Sequence, residues 1–260
     1  MLRSIAALVV VSALELAYPA EPRADLVPVR YPEGSSHGFL SMKNPAGAIV
    51  ASGDFIQTTR GTQVTVRLVY RFKDGSIDDD VAVFSQRGQF RLISDHHVQK
   101  GPAFDMPMET TVNVASGQVS VRYRDKHGQE KIENEQMELP PDLANGMLIT
   151  LLKNARPAAL PPSVSYVATT PKPRLVKLEL GVAATDRFVV AGSTRRATHF
   201  VVKVKIGGIA GVVAPLVGKQ PPDIHVWVLP GEAPAFVRAD IPLSPEGPLF
   251  RTELASPTWR

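Results

Sequence analysis

Along most of the chain, apolar and polar side chains alternate one for one. Val64, Val66, Leu68, Tyr70 and Phe72 are interleaved with Thr65, Arg67, Val69 and Arg71, which sets an apolar row and a mainly polar row on opposite faces of an extended strand. The same period recurs in Val119, Val121 and Tyr123 against Ser120, Arg122 and Arg124, and in Val176, Leu178 and Leu180 against Lys177 and Glu179. Phe200, Val202, Val204 and Ile206 alternate with His199, Val201, Lys203 and Lys205. Between the runs fall Asp74-Gly75, Arg87-Gly88, Ser116-Gly117, His127-Gly128, Ala191-Gly192 and Pro230-Gly231, pairs with the chemistry of hairpin turns. One stretch changes period: after Pro140-Pro141-Asp142, the residues Leu143, Met147, Leu148, Leu151 and Leu152 recur at helical spacing until Arg156-Pro157 stops them. The pattern predicts a mainly β protein, an antiparallel curled sheet or half-barrel wrapped around one main helix, with the proline-rich stretch 156–163 as a crossover between strands on either side.

The first twenty residues break the alternation. Met1-Leu2-Arg3 precedes an unbroken small and apolar run over 5–14, too short to span a bilayer and built like an export signal. A signal peptide is expected over 1–20, a linker or edge extension over 21–36, and a single β-rich domain over 37–260. Cleavage after Ala20 suits the small-residue rule, although Tyr18 is larger than that rule prefers. The expected location is periplasmic or secreted, in a bacterium. The chain has no cysteine, so packing alone must stabilise it, without disulfides, thiolate metal sites or a lipidated cysteine. A formal charge of +4 with no basic run does not suit a nucleic-acid partner.

The candidate chemistry is thin. His96-His97 follows Asp95, but neighbours on a strand point to opposite faces, so the two imidazoles do not share an ion. Asp78-Asp79-Asp80 lacks the spacing of a calcium loop and reads as a solvated turn. Gly218-Lys219 is followed by Gln220 where a phosphate loop needs Ser or Thr. No His-Glu-x-x-His pair occurs. No catalytic residue, metal or cofactor is therefore assigned, and the chain is read as a protein that is not an enzyme.

Two features point to binding. The stretch 206–217 is apolar, glycine-containing and uncharged, and it reads either as a hairpin completing the core or as a lid over a greasy cavity or bilayer surface. Its Ile209, Val212, Val213 and Leu216, with Trp227 on a nearby strand, are the candidate ligand-binding residues. The polar strand faces lean positive through Arg67, Arg71, Arg122, Arg124, Lys177, Lys203, Lys205 and Arg238. Such a face either attracts anionic lipid or is balanced by neighbouring acids.

The order of elements resembles the bacterial lipoprotein-carrier fold, in which an antiparallel half-barrel wraps a helix and its concave face can hold acyl chains. The blocks Phe72-Lys73-Asp74-Gly75-Ser76, Lys100-Gly101-Pro102-Ala103-Phe104 and Gly218-Lys219-Gln220-Pro221-Pro222-Asp223 resemble an uncharacterised family of secreted bacterial β proteins. An exported, non-catalytic protein is expected, one that binds an apolar or amphipathic, lipid-like ligand in the cell envelope with at most peripheral membrane contact. The alternatives are an envelope protein-interaction module and, third, a hydrolase whose site is dispersed along the chain.

Overall fold

The alternating runs become strands in the computed structural model, which describes residues 26–125, 127–190, 192–205 and 221–255. The first half of the chain forms β1 (Ser36–Lys43), β2 (Ile49–Arg60), β3 (Gln63–Phe72), β4 (Ile77–Arg87), β5 (Gln89–Lys100), β6 (Met108–Asn113), β7 (Gln118–Arg124) and β8 (Glu130–Gln136). A crossover then contains α1 (Leu148–Asn154), followed by β9 (Ser163–Thr170), β10 (Lys172–Val190), β11 (Ser193–Lys205), β12 (Ile224–Leu229), β13 (Ala235–Pro242) and β14 (Leu249–Ala255). All fourteen belong to one antiparallel sheet in the order β8-β7-β6-β5-β4-β3-β2-β1-β14-β13-β12-β11-β10-β9. Two meanders are thus joined through β1 and β14, with Phe39 opposite Ala255 and Lys43 opposite Arg251. The glycines of all six predicted turn pairs have positive φ.

The sheet curls without closing by backbone hydrogen bonds. Its two ends are held near one another by side chains: Thr110 Oγ1 lies 3.4 Å from Thr169 Oγ1, and Lys172 Nζ lies 3.3 Å from Glu135 Oε1. The crossover from β8 to β9 fills the concave side. Leu143, Ala144, Met147, Leu151 and Leu152 pack there with Val64, Phe84, Phe90, Val112 and Val119 from one meander and Val164, Leu178, Phe200, Val202 and Val226 from the other. A smaller cluster of Leu40, Met42, Ala51, Tyr70, Phe72 and Phe104 fills the opposite end. There the 72–76 and 100–104 blocks meet. Phe72 and Phe104 pack edge to face with centroids 5.6 Å apart, and Ser76 Oγ accepts a hydrogen bond from Ala103 N at 2.8 Å.

The predicted helix begins later than its apolar spacing implies. Leu143 pairs as a bridge with Ser165, and only from Leu148 does the backbone become helical. The interruption is Gly146, at φ +62°, where a Cβ would stand 2.4 Å from the Ala82 Cβ and 2.6 Å from Asp95 Oδ1. Leu143, Ala144, Asn145 and Met147 are buried because they line the curl, not because they share a helix face. They also cover the open edge of β9. Ser165 N donates to Asp142 O and Ala144 N to Ser165 O, while the Asn145 side chain accepts from Val167 N at 2.9 Å and donates to Val167 O at 3.0 Å. One amide side chain therefore stands in for a neighbouring strand.

The stretch before β1 is bound to the same crossover. Val27 is buried in the main core, and Asn154 Oδ1 accepts from Arg30 N at 3.0 Å and Tyr31 N at 2.8 Å. Glu33 receives Lys153 Nζ at 2.7 Å. Among the described residues no helix is long and apolar enough to cross a membrane.

Candidate functional site

Of the expected ligand-binding residues, Ile209, Val212, Val213 and Leu216 lie outside the described residues, as does the Gly218-Lys219 pair. Trp227 faces away from the core that Val226 and Val228 enter. Even so it is only 5% exposed, because its ring is enclosed by other side chains. His199 stacks on it with centroids 4.2 Å apart, the Arg238 guanidinium lies 4.2 Å from its centre, and its Nε1 donates to Asp186 Oδ2 at 2.6 Å. Trp227 thus stands on the convex side and does not face the apolar space inside the curl. The neighbouring His199 holds its proton less readily than an ordinary histidine, through burial and then the nearby His225.

The basic strand faces are balanced by acids, largely across neighbouring strands. Arg67 pairs with Asp79 at 2.6 Å, Arg71 with Asp54 at 2.7 Å, Lys205 with Glu179 at 3.1 Å and Lys203 with Asp223 at 3.7 Å. Arg238 and Arg251 share Asp240.

The aspartate triplet is not a solvated turn. It lies within β4, so Asp78 and Asp80 point inward and Asp79 outward to Arg67. On β5 the inward residues are Asp95 and His97, whereas His96 turns out to Glu109 at 2.9 Å. The β4–β5 register sets Asp80 opposite His97 and Asp78 opposite Gln99, gathering four titratable groups on the concave face. Asp78 receives His97 Nε2 at 2.7 Å and Gln99 Nε2 at 3.0 Å. Deeper in, the Asp80 and Asp95 carboxyl groups are within hydrogen-bond reach of each other, and Oδ1 of each is buried without another partner.

Burial pushes the Asp95 carboxyl up to about 6, with the Asp80 hydrogen bond acting in the other direction. Asp80 is raised well above the carboxylate range by burial and then by the charge of Asp95. The pair therefore holds a proton that exposed carboxyls would release. Burial opposes the His97 imidazolium, but the hydrogen bond and charge of Asp78, with Asp80 and Asp79 behind it, carry its pKa above the ordinary value. Tyr166 from β9 closes the cluster, and burial followed by the three carboxyls raises its hydroxyl pKa. Among the described residues no three His, Asp or Glu side chains converge as a metal site.

A second polar group braces β9. Ser165 Oγ donates to Asp142 Oδ1 at 2.7 Å, and Lys177 Nζ donates to Ser165 Oγ at 2.8 Å and Asp142 Oδ2 at 3.0 Å. A serine beside a lysine is a nucleophile pattern. Here Ser165 is fully buried and its proton is directed to a carboxylate, so the arrangement fixes the crossover to the sheet.

Space for a ligand occurs at the entrance to the crossover. A recess of about 240 Å³ is lined by Leu92, Val114, Leu139, Pro140, Pro141 and Leu143, with Arg91 at its edge. Arg91 is exposed, and among the described residues its guanidinium has only Gln89 Oε1, at 3.4 Å. The lining comes from three separate parts of the chain, so no local motif announces it.

No protein-family model and no curated protein matches the chain. Among solved structures it is similar to a β-barrel-like protein of the domain of unknown function DUF1849 from Brucella abortus. That likeness has a TM-score of 0.44 and 9% identity, and covers 89% of this chain and 97% of the other. Nothing in these comparisons extends the resemblance to lipoprotein carriers, and the concave face such a carrier would use is occupied here by residues 143–152.

Proposed function

We propose that this is an exported, non-catalytic binding protein of a bacterial envelope, taking one apolar chain of an anionic amphiphile into the recess beside residues 139–143. The recess carries the reading. Six of its seven lining residues are aliphatic or proline, and the seventh is a solvent-facing arginine without a carboxylate partner among the described residues, the pairing of apolar wall and single charged group that orients an amphiphile. About 240 Å³ falls just below the roughly 300–1,000 Å³ of common ligand pockets, which favours a single acyl chain over a two-chain lipid. The export step rests on the apolar run over 5–14 behind Arg3.

Displacement of a fluorescent fatty acid tests the proposal. Val114→Trp fills the recess from a partly exposed position and is expected to abolish probe binding while leaving the melting temperature within a few degrees. Arg91→Gln is expected to weaken a carboxylate probe more than the matching alcohol. Equal binding of the probe by wild type and Val114→Trp would rule out the recess as the site.

A further inference from the structure

The longest hairpin projects beyond the rest of the sheet. Pairing of β9 with β10 stops at Ser163 opposite Glu179, and pairing of β12 with β11 stops at Val228 opposite Thr198. The β10–β11 ladder continues alone to Val190 opposite Ser193. Its outer part is thus a two-stranded ribbon with no third strand on either side among the described residues.

This ribbon is unlike the other strands in charge. Arg187 lies directly opposite Arg196, and Arg195 directly opposite Phe188. All three arginines are exposed, and among the described residues none has a carboxylate within the 4.0 Å of an ion pair. The one acid nearby, Asp186, is taken by Trp227 Nε1 and by His199 at 3.5 Å. Like charges directly opposite one another destabilise a strand pair, and an isolated ribbon has little stability to spare. Beside the arginines Val189 is 76% exposed, more than any other exposed large apolar side chain described. Residues that weaken the free ribbon in this way suit a bound state that supplies both anions and an apolar medium.

We propose that the arginine-tipped β10–β11 ribbon docks on an anionic phospholipid surface. The guanidinium groups of Arg187 and Arg196, on the same face of the ribbon as Val189, and of Arg195 on the other face engage lipid phosphates, for which their planar donors are suited, and Val189 enters the headgroup boundary beside Arg187 and Arg196. A soluble polyanion would satisfy the arginines and leave Val189 in water, so the apolar side chain selects the bilayer. The proposal does not depend on the recess, and Val114→Trp is expected to bind vesicles as wild type does.

Sedimentation of the purified protein with vesicles of phosphatidylglycerol and phosphatidylcholine, against phosphatidylcholine alone, is the test. Wild type is expected to bind the anionic vesicles and not the neutral ones. The triple variant Arg187→Gln, Arg195→Gln, Arg196→Gln is expected to lose roughly a hundredfold in apparent affinity, at about fivefold for each basic side chain near an anionic surface. Val189→Ser is expected to lose severalfold without a change in charge, and both variants should keep the wild-type melting temperature because the positions are exposed. Absence of wild-type binding, or wild-type binding by the triple variant, would overturn the proposal. Unchanged vesicle binding by Val189→Ser would overturn the choice of a bilayer and leave a purely electrostatic partner.

Discussion

Asp95→Asn should stabilise the protein at neutral pH, although it alters a buried carboxyl pair. In the folded chain burial raises the Asp95 carboxyl from 3.8 to about 6. Between those values the native state holds a proton that the unfolded chain has released, so stability is full below about pH 4 and falls as pH rises through 6. Two units at about 1.4 kcal/mol each make the loss on the order of 3 kcal/mol by pH 7. An asparagine keeps the shape, can donate permanently to Asp80 and has no proton to lose. His97, whose pKa is also raised, weakens the fold in the same direction at higher pH, but it is present in both proteins and largely cancels in their difference. Urea unfolding at intervals from pH 4 to pH 8 measures that difference. The curves should meet near pH 4 and diverge to about 3 kcal/mol in favour of Asp95→Asn by pH 7. Parallel curves, or a variant less stable at pH 7, would show that the two carboxyls do not share a proton against a dry background.

Three further substitutions probe the crossover. Gly146→Ala forces a left-handed backbone on a residue with a side chain and sets its Cβ against Ala82 and Asp95, so a loss of roughly 2–5 kcal/mol is expected by denaturant unfolding. Asn145→Ala leaves the buried N–H and C=O of Val167 without their partners, which should cost about 2–5 kcal/mol, with faster hydrogen exchange at Val167 as the local signature. Leu152→Ala empties a position 1% exposed in the main core, and a fall of about 2–5 kcal/mol is expected; a change below about 1 kcal/mol would mean that α1 is not packed as described.

The strands and turns were legible because each depends on neighbours in sequence: a period of two and a glycine able to take positive φ. The start of the helix was not, since Leu143 and Met147 have helical spacing for a different reason and the constraint on Gly146 comes from Ala82 and Asp95 across the curl. The interior carboxyl cluster was half legible. Asp78 and Asp80 share parity, as do Asp95 and His97, but three consecutive aspartates argue against a strand on propensity alone, and only the β4–β5 register brings the pairs together. Trp227 was correctly placed opposite Val226 and Val228, yet its enclosure depends on Asp186, His199 and Arg238 from three other strands. The recess had no signal in any one segment, because its walls are Arg91 and Leu92, Val114, and 139–143.

The union of the two meanders bears on how the chain reaches this state. Every pairing in the sheet but one joins strands consecutive in sequence; the exception is β1 with β14. Twelve strands and the crossover must be synthesised before β14 can meet β1, and loop closure of that span is the large entropic step that slows folding of high-contact-order proteins. A circular permutant cut between Ala159 and Ser163, with a linker from β14 to the stretch that precedes β1, would convert the sheet into an uninterrupted meander from β9 to β8. The long closure would then pass from the β1–β14 ladder to the few bonds between residues 142–145 and β9, so such a permutant should complete its strand ladder faster than the natural order and dock the crossover last.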